Sequence, residues 1–182
     1  MTDELLMEGD RLALDNYARA KEGIALEIGT YMGGSAKILA ESSKKVYCID
    51  VFEDVDLIKN KEAKKECKDI WKDKGFTYKD IKAKLELVYE NIEVIKGESE
   101  QVAKEWKKEQ IDLIFIDGDH TYEGVKTDFE SWFPHLRKGA IILFHDSNYK
   151  SVQKFAMELA KDKRVKIRGL PQDSLIVVFQ KR

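Results

Sequence analysis

The chain has 182 residues, 43% of them hydrophobic and 36% charged, and its 32 basic and 34 acidic residues are interspersed to a net charge of -2. That length suits one domain, spanning residues 1–182, with a sizeable core, and the even charge balance gives no pull toward nucleic acid or an anionic membrane. No apolar run approaches membrane-spanning length and no basic region precedes an apolar one at the acidic N-terminus, so the expectation is a cytoplasmic protein with a small-molecule partner.

A helix carrying Leu12, Leu14, Tyr17 and Ala18 comes first. Ile24 to Ile28 is an apolar strand that carries Glu27 and passes through Gly29, Thr30 and Tyr31 into a glycine turn at Gly33 and Gly34. A helix follows from Gly34 to Ser42, with Ala36, Leu39 and Ala40 on its core side. Such a passage brings bare backbone N–H groups and a helix N-terminus against a ligand. A dinucleotide site wants G-x-G-x-x-G, and Tyr31 stands where the second glycine would fall, which disfavours NAD.

The second strand, Val46 to Val51, ends at Asp50, placed either to accept hydrogen bonds from both hydroxyls of a ribose or to cap the next helix. Its Cys48, with Cys67 on a Lys-rich helix, makes too scattered a pair for a disulfide framework or a zinc site. Residues 52–91 hold two helical patterns, one with Ala63, Cys67, Ile70 and Trp71 on a face, the other opening on a Thr77-x-x-Asp80 capping signal and running through Ile81, Leu85 and Val88. One helix suffices for a crossover, so a helical insertion at about 52–78 is expected, available as a substrate lid, a homodimer contact or a solvated face.

Strand three, Ile92 to Ile95, runs into Gly97-Glu98-Ser99, and Val102, Ala103 and Trp106 mark a helix after it. Strand four, Ile111 to Ile116, runs into Asp117-Gly118-Asp119-His120. The next helix carries Tyr122, Val125, Phe129, Trp132 and Leu136, with Pro134 ending or kinking it near Phe133. Strand five, Ala140 to Phe144, ends in His145-Asp146-Ser147-Asn148, followed by a helix with Val152, Phe155, Ala156 and Leu159. Two last strands, Val165 to Leu170 and Ser174 to Phe179, are joined by Pro171, Gln172 and Asp173, a hairpin-length link that makes an antiparallel pair. The pattern predicts an α/β fold: a three-layer, Rossmann-like, seven-stranded and mostly parallel sheet with a C-terminal antiparallel hairpin and helices on both faces.

Ligands of such sheets lie beyond the carboxyl ends of the strands, where this chain concentrates its polar residues. Two carboxylates and an imidazole directly after a buried strand are costly unless they bind a cation, exchange protons or meet a cofactor. Strands lie about 5 Å apart, so the clusters after strands four and five can converge on one ion or one substrate oxygen.

Glu27-x-Gly29-x-x-x-Gly33 resembles the first motif of class I S-adenosylmethionine-dependent methyltransferases. Ile116-Asp117-Gly118-Asp119-His120-Thr121-Tyr122-Glu123, with Gly139 to Asp146, is similar to the small group that includes macrocin O-methyltransferase and the cephalosporin hydroxylase-like proteins. The resemblance implies S-adenosyl-L-methionine held by Glu27, Gly29, Thr30, Tyr31, Gly33, Ser35, Asp117 and Gly118, its ribose at Asp50 and its adenine near Glu98 and Ser99, with Ser99 as a plain helix cap the alternative. Phe52 is a candidate to lie against the adenine face. By the same resemblance Asp117, His145 and Asp146 are metal ligands and Asp119 is the general base, His120 being the alternative base. The group's pattern has Asp where this chain has His145, which shifts the implied cation from Mg²⁺ toward Mn²⁺, Fe²⁺ or Zn²⁺. The expected activity is O-methylation of a small hydroxylated molecule. A metal-dependent phosphoester hydrolase would need further ligands, of which only His135 remains among the histidines, and a non-catalytic nucleoside-cofactor-binding module has no use for paired carboxylates.

Overall fold

The computed structural model describes residues 6–58, 61–71 and 75–182, apart from the side chains of residues 62, 63, 66 and 70. Along the chain run α1 (Glu8–Lys21), β1 (Ile24–Ile28), α2 (Gly34–Ser42), β2 (Lys45–Asp50), α3 (Lys61–Trp71), α4 (Tyr78–Val88), β3 (Ile92–Lys96), α5 (Ser99–Lys104), β4 (Ile111–Ile116), α6 (Tyr122–Trp132), β5 (Leu136–Phe144), α7 (Lys150–Leu159), β6 (Val165–Gly169) and β7 (Val177–Lys181). Short 3-10 turns cover Val55–Leu57 and Phe133–His135.

The strands form one seven-stranded sheet in the order β3-β2-β1-β4-β5-β7-β6. β1 to β5 pair in parallel, and β7 is antiparallel to both β5 and β6. The expected α/β architecture is therefore present, with one antiparallel strand inserted between β5 and β6. The order reverses between β1 and β4, which opens a crevice beyond their carboxyl ends.

Side chains alternate across the sheet with period two, and the apolar runs fill both faces. Leu26, Ile114, Ile142 and Phe144 pack with Phe129, Trp132 and Phe155 under α6 and α7. Ala25, Leu113, Phe115 and Leu143 pack with Leu14, Leu39 and Leu85 under α1, α2 and α4. The same alternation carries past the strand ends. Asp117 and His145 continue the odd-numbered rows of β4 and β5, so they emerge on the side of α1.

Several boundaries differ from the expectation. Leu136, read as a helix residue, is the first residue of β5, because Pro134 breaks the chain into a 3-10 turn and lets the strand start early. The link between β6 and β7 spans 170–176 rather than three residues, since Ser174 and Leu175 turn away from β6 to bond Asp10. The Thr77 cap forms as read, with the Thr77 N–H donating to Asp80 at 2.8 Å. Of the face read on α3, Ala63 and Ile70 fall outside the described side chains.

Candidate active site

A cavity of about 1000 Å³ opens at the carboxyl ends of β1 to β5, the upper end of the range for small-molecule sites. Gly29 leaves β1 at φ +90°, and a Cβ there would stand 2.0 Å from the Asp117 carbonyl oxygen, so only glycine lets the tips of β1 and β4 close up. Asp50, at the end of β2, is oriented by backbone donors: the Tyr31 N–H reaches its Oδ2 and the Phe52 N–H its Oδ1, both at 2.7 Å. Burial raises its pKa, and backbone N–H groups, those of Tyr31 and Phe52 foremost, oppose the rise. From the insertion, Ile58, Cys67 and Trp71 close the outer wall, Trp71 meeting Tyr31 edge-on at 5.6 Å between ring centroids.

Beyond β4 and β5 stands a cluster of acids and imidazoles. His145, 5% exposed, presents Nδ1 to Asp117 Oδ1 at 3.0 Å and Nε2 to Asp10 Oδ2 at 3.2 Å. His120 places Nε2 2.9 Å from Asp146 Oδ2 and 3.7 Å from Asp117 Oδ1, and its ring stacks on Tyr149. Burial works against the charged rings, but hydrogen bonds to Asp117 and Asp146 outweigh it, pushing His120 up to about 10 and His145 up to about 11. Burial would raise Asp146, yet its bonds to His120 and His145 hold it well below the usual carboxylate range. Asp117, His120 and Asp146 bring one ligand atom each within 4.8 Å of one another, a set that fits a divalent cation.

Glu27 lies one layer below. Its carboxylate is fully buried with no partner in hydrogen-bonding geometry, although Ser35, Cys48 and Thr30 surround it. Burial pushes it up to about 7, the Ser35 hydroxyl opposes the rise and the nearby Asp117 adds to it. On the α6 side, the Thr121 N–H donates to Asp119 Oδ1 at 2.8 Å, which holds the loop at the start of the helix. Asp128, buried on α6, is pushed up to about 7 by burial and by the charges of Asp119, Glu98 and Glu100, against a hydrogen bond with Ser99. Ser99 Oγ also accepts from the Trp132 indole at 2.9 Å.

The residues read from sequence divide accordingly. Gly29, Tyr31, Asp50, Glu98, Ser99, Asp117 and Gly118 line the cavity, as do Asp119, His120, His145 and Asp146. Glu27, Thr30, Gly33 and Ser35 do not, and instead support the turn from beneath; Gly33 packs so closely on Leu85 that a Cβ would stand 2.7 Å from it. Phe52 is corrected: it is 0% exposed and turned into the core against Trp71 and Tyr78, so it presents no face to a base. His145, read as a metal ligand, has Nδ1 on Asp117 and Nε2 on Asp10, and the trio whose ligand atoms converge includes His120 instead. Ser99 is the first residue of α5 and Glu98 its cap, so Ser99 is no helix cap.

Three residues were missed. Asp128 sits with Val125, Phe129 and Trp132 on one i, i+3, i+4, i+7 stripe, and a carboxylate on an apolar stripe was a readable signal. Tyr149, between Asn148 and Lys150, gave none. Asp10 gave none either, since an acid in the first turn of a helix is ordinary.

The comparisons with known proteins bear on the family and the fold. A family described as "Methyltransferase domain" matches over residues 26–147. An uncharacterised protein of Sinorhizobium fredii is 45% identical over 40 residues, 22% of this chain and only 4% of the relative's length. The O-methyltransferase from Bacillus cereus, solved in complex with SAH, superposes with a TM-score of 0.67 at 17% identity, over 99% of this chain and 84% of that one. The O-methyltransferase TomG from Streptomyces achromogenes, involved in tomaymycin synthesis and solved with SAM, gives 0.66 at 14% identity, over 100% of this chain and 82% of that one.

Proposed function

Because the chain belongs to the methyltransferase domain family, we propose that it transfers a methyl group from S-adenosylmethionine to an oxygen of a small hydroxylated acceptor. The observation that carries this reading is the convergence of the Gly29 turn, Asp50 and Asp117 on one cavity at the switch point of the sheet. Asp50 has two oriented oxygens for the two hydroxyls of a ribose, and Gly29 and Gly118 line the same cavity. The Bacillus and Streptomyces structures with SAH and SAM add support from the fold.

Bound, the cofactor supplies a methyl group already activated on a sulfonium. What remains for the protein is to align an oxygen, accept its proton and exclude water. Asp119 is the proton acceptor in this reading: one oxygen holds the α6 turn, and it stands at the cavity wall. His120 is ill suited to that role, because its Nε2 faces Asp146 Oδ2 at 2.9 Å and is one of the three candidate ligand atoms. Asp117, His120 and Asp146 would hold a divalent cation, whose chemistry there is to lower the pKa of a bound hydroxyl; two carboxylates and an imidazole favour Mn²⁺, Fe²⁺ or Zn²⁺ over Mg²⁺. The hydrolase reading has less support, since His135 lies against Trp132 and does not line the cavity.

Charge narrows the acceptor. Asp69, Glu98, Asp119, Glu123 and Asp128 line the cavity, and no Lys or Arg does among the described residues. These carboxylates would repel a phosphate ester, and the imidazoles of His120 and His145 that line the cavity are already paired with Asp146 and Asp117, so the acceptor class is a neutral or amine-bearing alcohol or phenol.

Calorimetry with S-adenosylhomocysteine and with NAD tests the cofactor: the first binds, the second does not, and Asp50→Ala weakens the first by about 1–3 kcal/mol. Unchanged affinity in that variant would refute the ribose role. Transfer of labelled methyl to alcohols and amino alcohols, but not to their phosphate esters, is the expected acceptor profile.

A further inference from the structure

We propose that Asp10 is a positioning residue of the active site: from the N-terminal helix it fixes, through the ring of His145, where the Asp117 carboxylate stands. The inference deepens the functional reading above and rests on it in treating Asp117 as a site residue.

Asp10 is 0% exposed, and each of its two oxygens meets two partners. Oδ1 accepts from the Ser174 hydroxyl and the Leu175 N–H, both at 2.7 Å, tying α1 to the segment before β7. Oδ2 accepts from the Met7 N–H at 2.9 Å and faces His145 Nε2 at 3.2 Å. The opposite ring nitrogen faces Asp117 Oδ1 at 3.0 Å, so one imidazole joins a carboxylate on the first helix to one at the tip of β4. Gly9 permits the approach: a Cβ there would stand 2.1 Å from the Asp173 carbonyl oxygen.

The ring is held at both ends and also packs edge-on against Phe115 at 5.8 Å, which leaves it little freedom to turn. Asp117 therefore has one oxygen committed to His145 and its carboxylate plane set, with His120 and Asp146 beside it. Partners behind a ligand orient it in this way at metal and acid–base sites, where their loss typically costs 10–100-fold in affinity. A helix outside the family match of residues 26–147 thus supplies part of the site's geometry.

Two variants separate positioning from simple bracing. Asp10→Asn keeps an oxygen for Ser174 and Leu175 but turns a donor toward His145 Nε2 and the Met7 N–H; Ser174→Ala removes one partner of the other oxygen and leaves the His145 contact. Mn²⁺ binding is measured by titration with S-adenosylhomocysteine present, alongside thermal unfolding and a crystal structure of each. In Asp10→Asn, Mn²⁺ affinity falls tenfold or more, S-adenosylhomocysteine affinity stays within threefold, and the Asp117 carboxylate shifts by about 1 Å. Ser174→Ala lowers the unfolding midpoint and leaves Mn²⁺ affinity within threefold. Should Asp10→Asn fail to fold, His145→Gln cuts the same relay and gives the same Mn²⁺ loss. An Asp117 carboxylate in its original place, or unchanged Mn²⁺ affinity, in a folded variant overturns the proposal. A wild type that binds S-adenosylhomocysteine but no Mn²⁺ removes the metal reading alone, and the position of Asp117 in the variant crystal then decides.

Discussion

The body of the sheet and its carboxyl tips, a few ångströms apart along the same strands, follow opposite rules. In the body both faces are dry: Phe144, Phe129 and Phe155 meet with centroids 5.6–6.1 Å apart, and Leu26, Ile114 and Ile142 are 1% exposed or less. At and beneath the tips, buried positions hold Glu27, Asp10, Asp128 and His145. Burial that stabilises the first region penalises the second, because an apolar side chain gains by leaving water while an ionisable one must be neutralised or paired. The tips therefore hold the groups whose protonation is displaced, and the body supplies the stability that tolerates them.

The largest effect expected is on the body. Phe155→Ala, which opens a cavity among Tyr122, Phe129 and Phe144, lowers unfolding free energy in urea by about 3–5 kcal/mol and leaves S-adenosylhomocysteine affinity of the folded protein within threefold. A large loss of affinity would break the division between the regions.

A smaller effect tests the tips through pH. Glu27 has its folded pKa raised from 4.5 to about 7, so below 4.5 it is protonated in both states and costs nothing. As pH rises the unfolded chain ionises first, and Glu27's contribution is lost progressively until about pH 7, up to about 3 kcal/mol in the ligand-free protein. Glu27→Gln removes that dependence, so urea midpoints at pH 5 and pH 8 lie closer together than in the wild type. Parallel profiles would mean Glu27 is paired in solution.

The smallest effect belongs to the opposite end of the sheet, where charge faces solvent. Arg164 lies 2.7 Å from Glu130, both side chains 43% exposed, and Arg164→Ala changes stability by less than about 1 kcal/mol at moderate salt. A larger loss would point to the packing of Arg164 on Phe133 rather than to its charge.

Much of the fold was legible because apolar runs of strand length alternate with helical periods, and helix caps such as Thr77 with Asp80 are local. The limits lay where distant segments meet. Ser174 and Leu175 belonged to a predicted strand until Asp10, far away in sequence, claimed their hydrogen bonds. Phe52 looked available to a ligand because it follows Asp50, yet its backbone turns at φ +52° and sends the ring into the core. The different settings of His120 and His145 were equally hidden: both follow strand tips beside an Asp, and only the partners on each ring nitrogen tell them apart.

By itself the sequence determined the order of strands and helices, the glycine turn after β1 and the presence of acids at the ends of β1, β2, β4 and β5, since each follows from periodicity and backbone sterics within a dozen residues. The tertiary structure alone decided which of those acids share a cavity, which imidazole joins the candidate cation site and that the first helix reaches His145. Those depend on distances between segments as much as 165 positions apart, as Asp10 is from Leu175, and no local pattern encodes them.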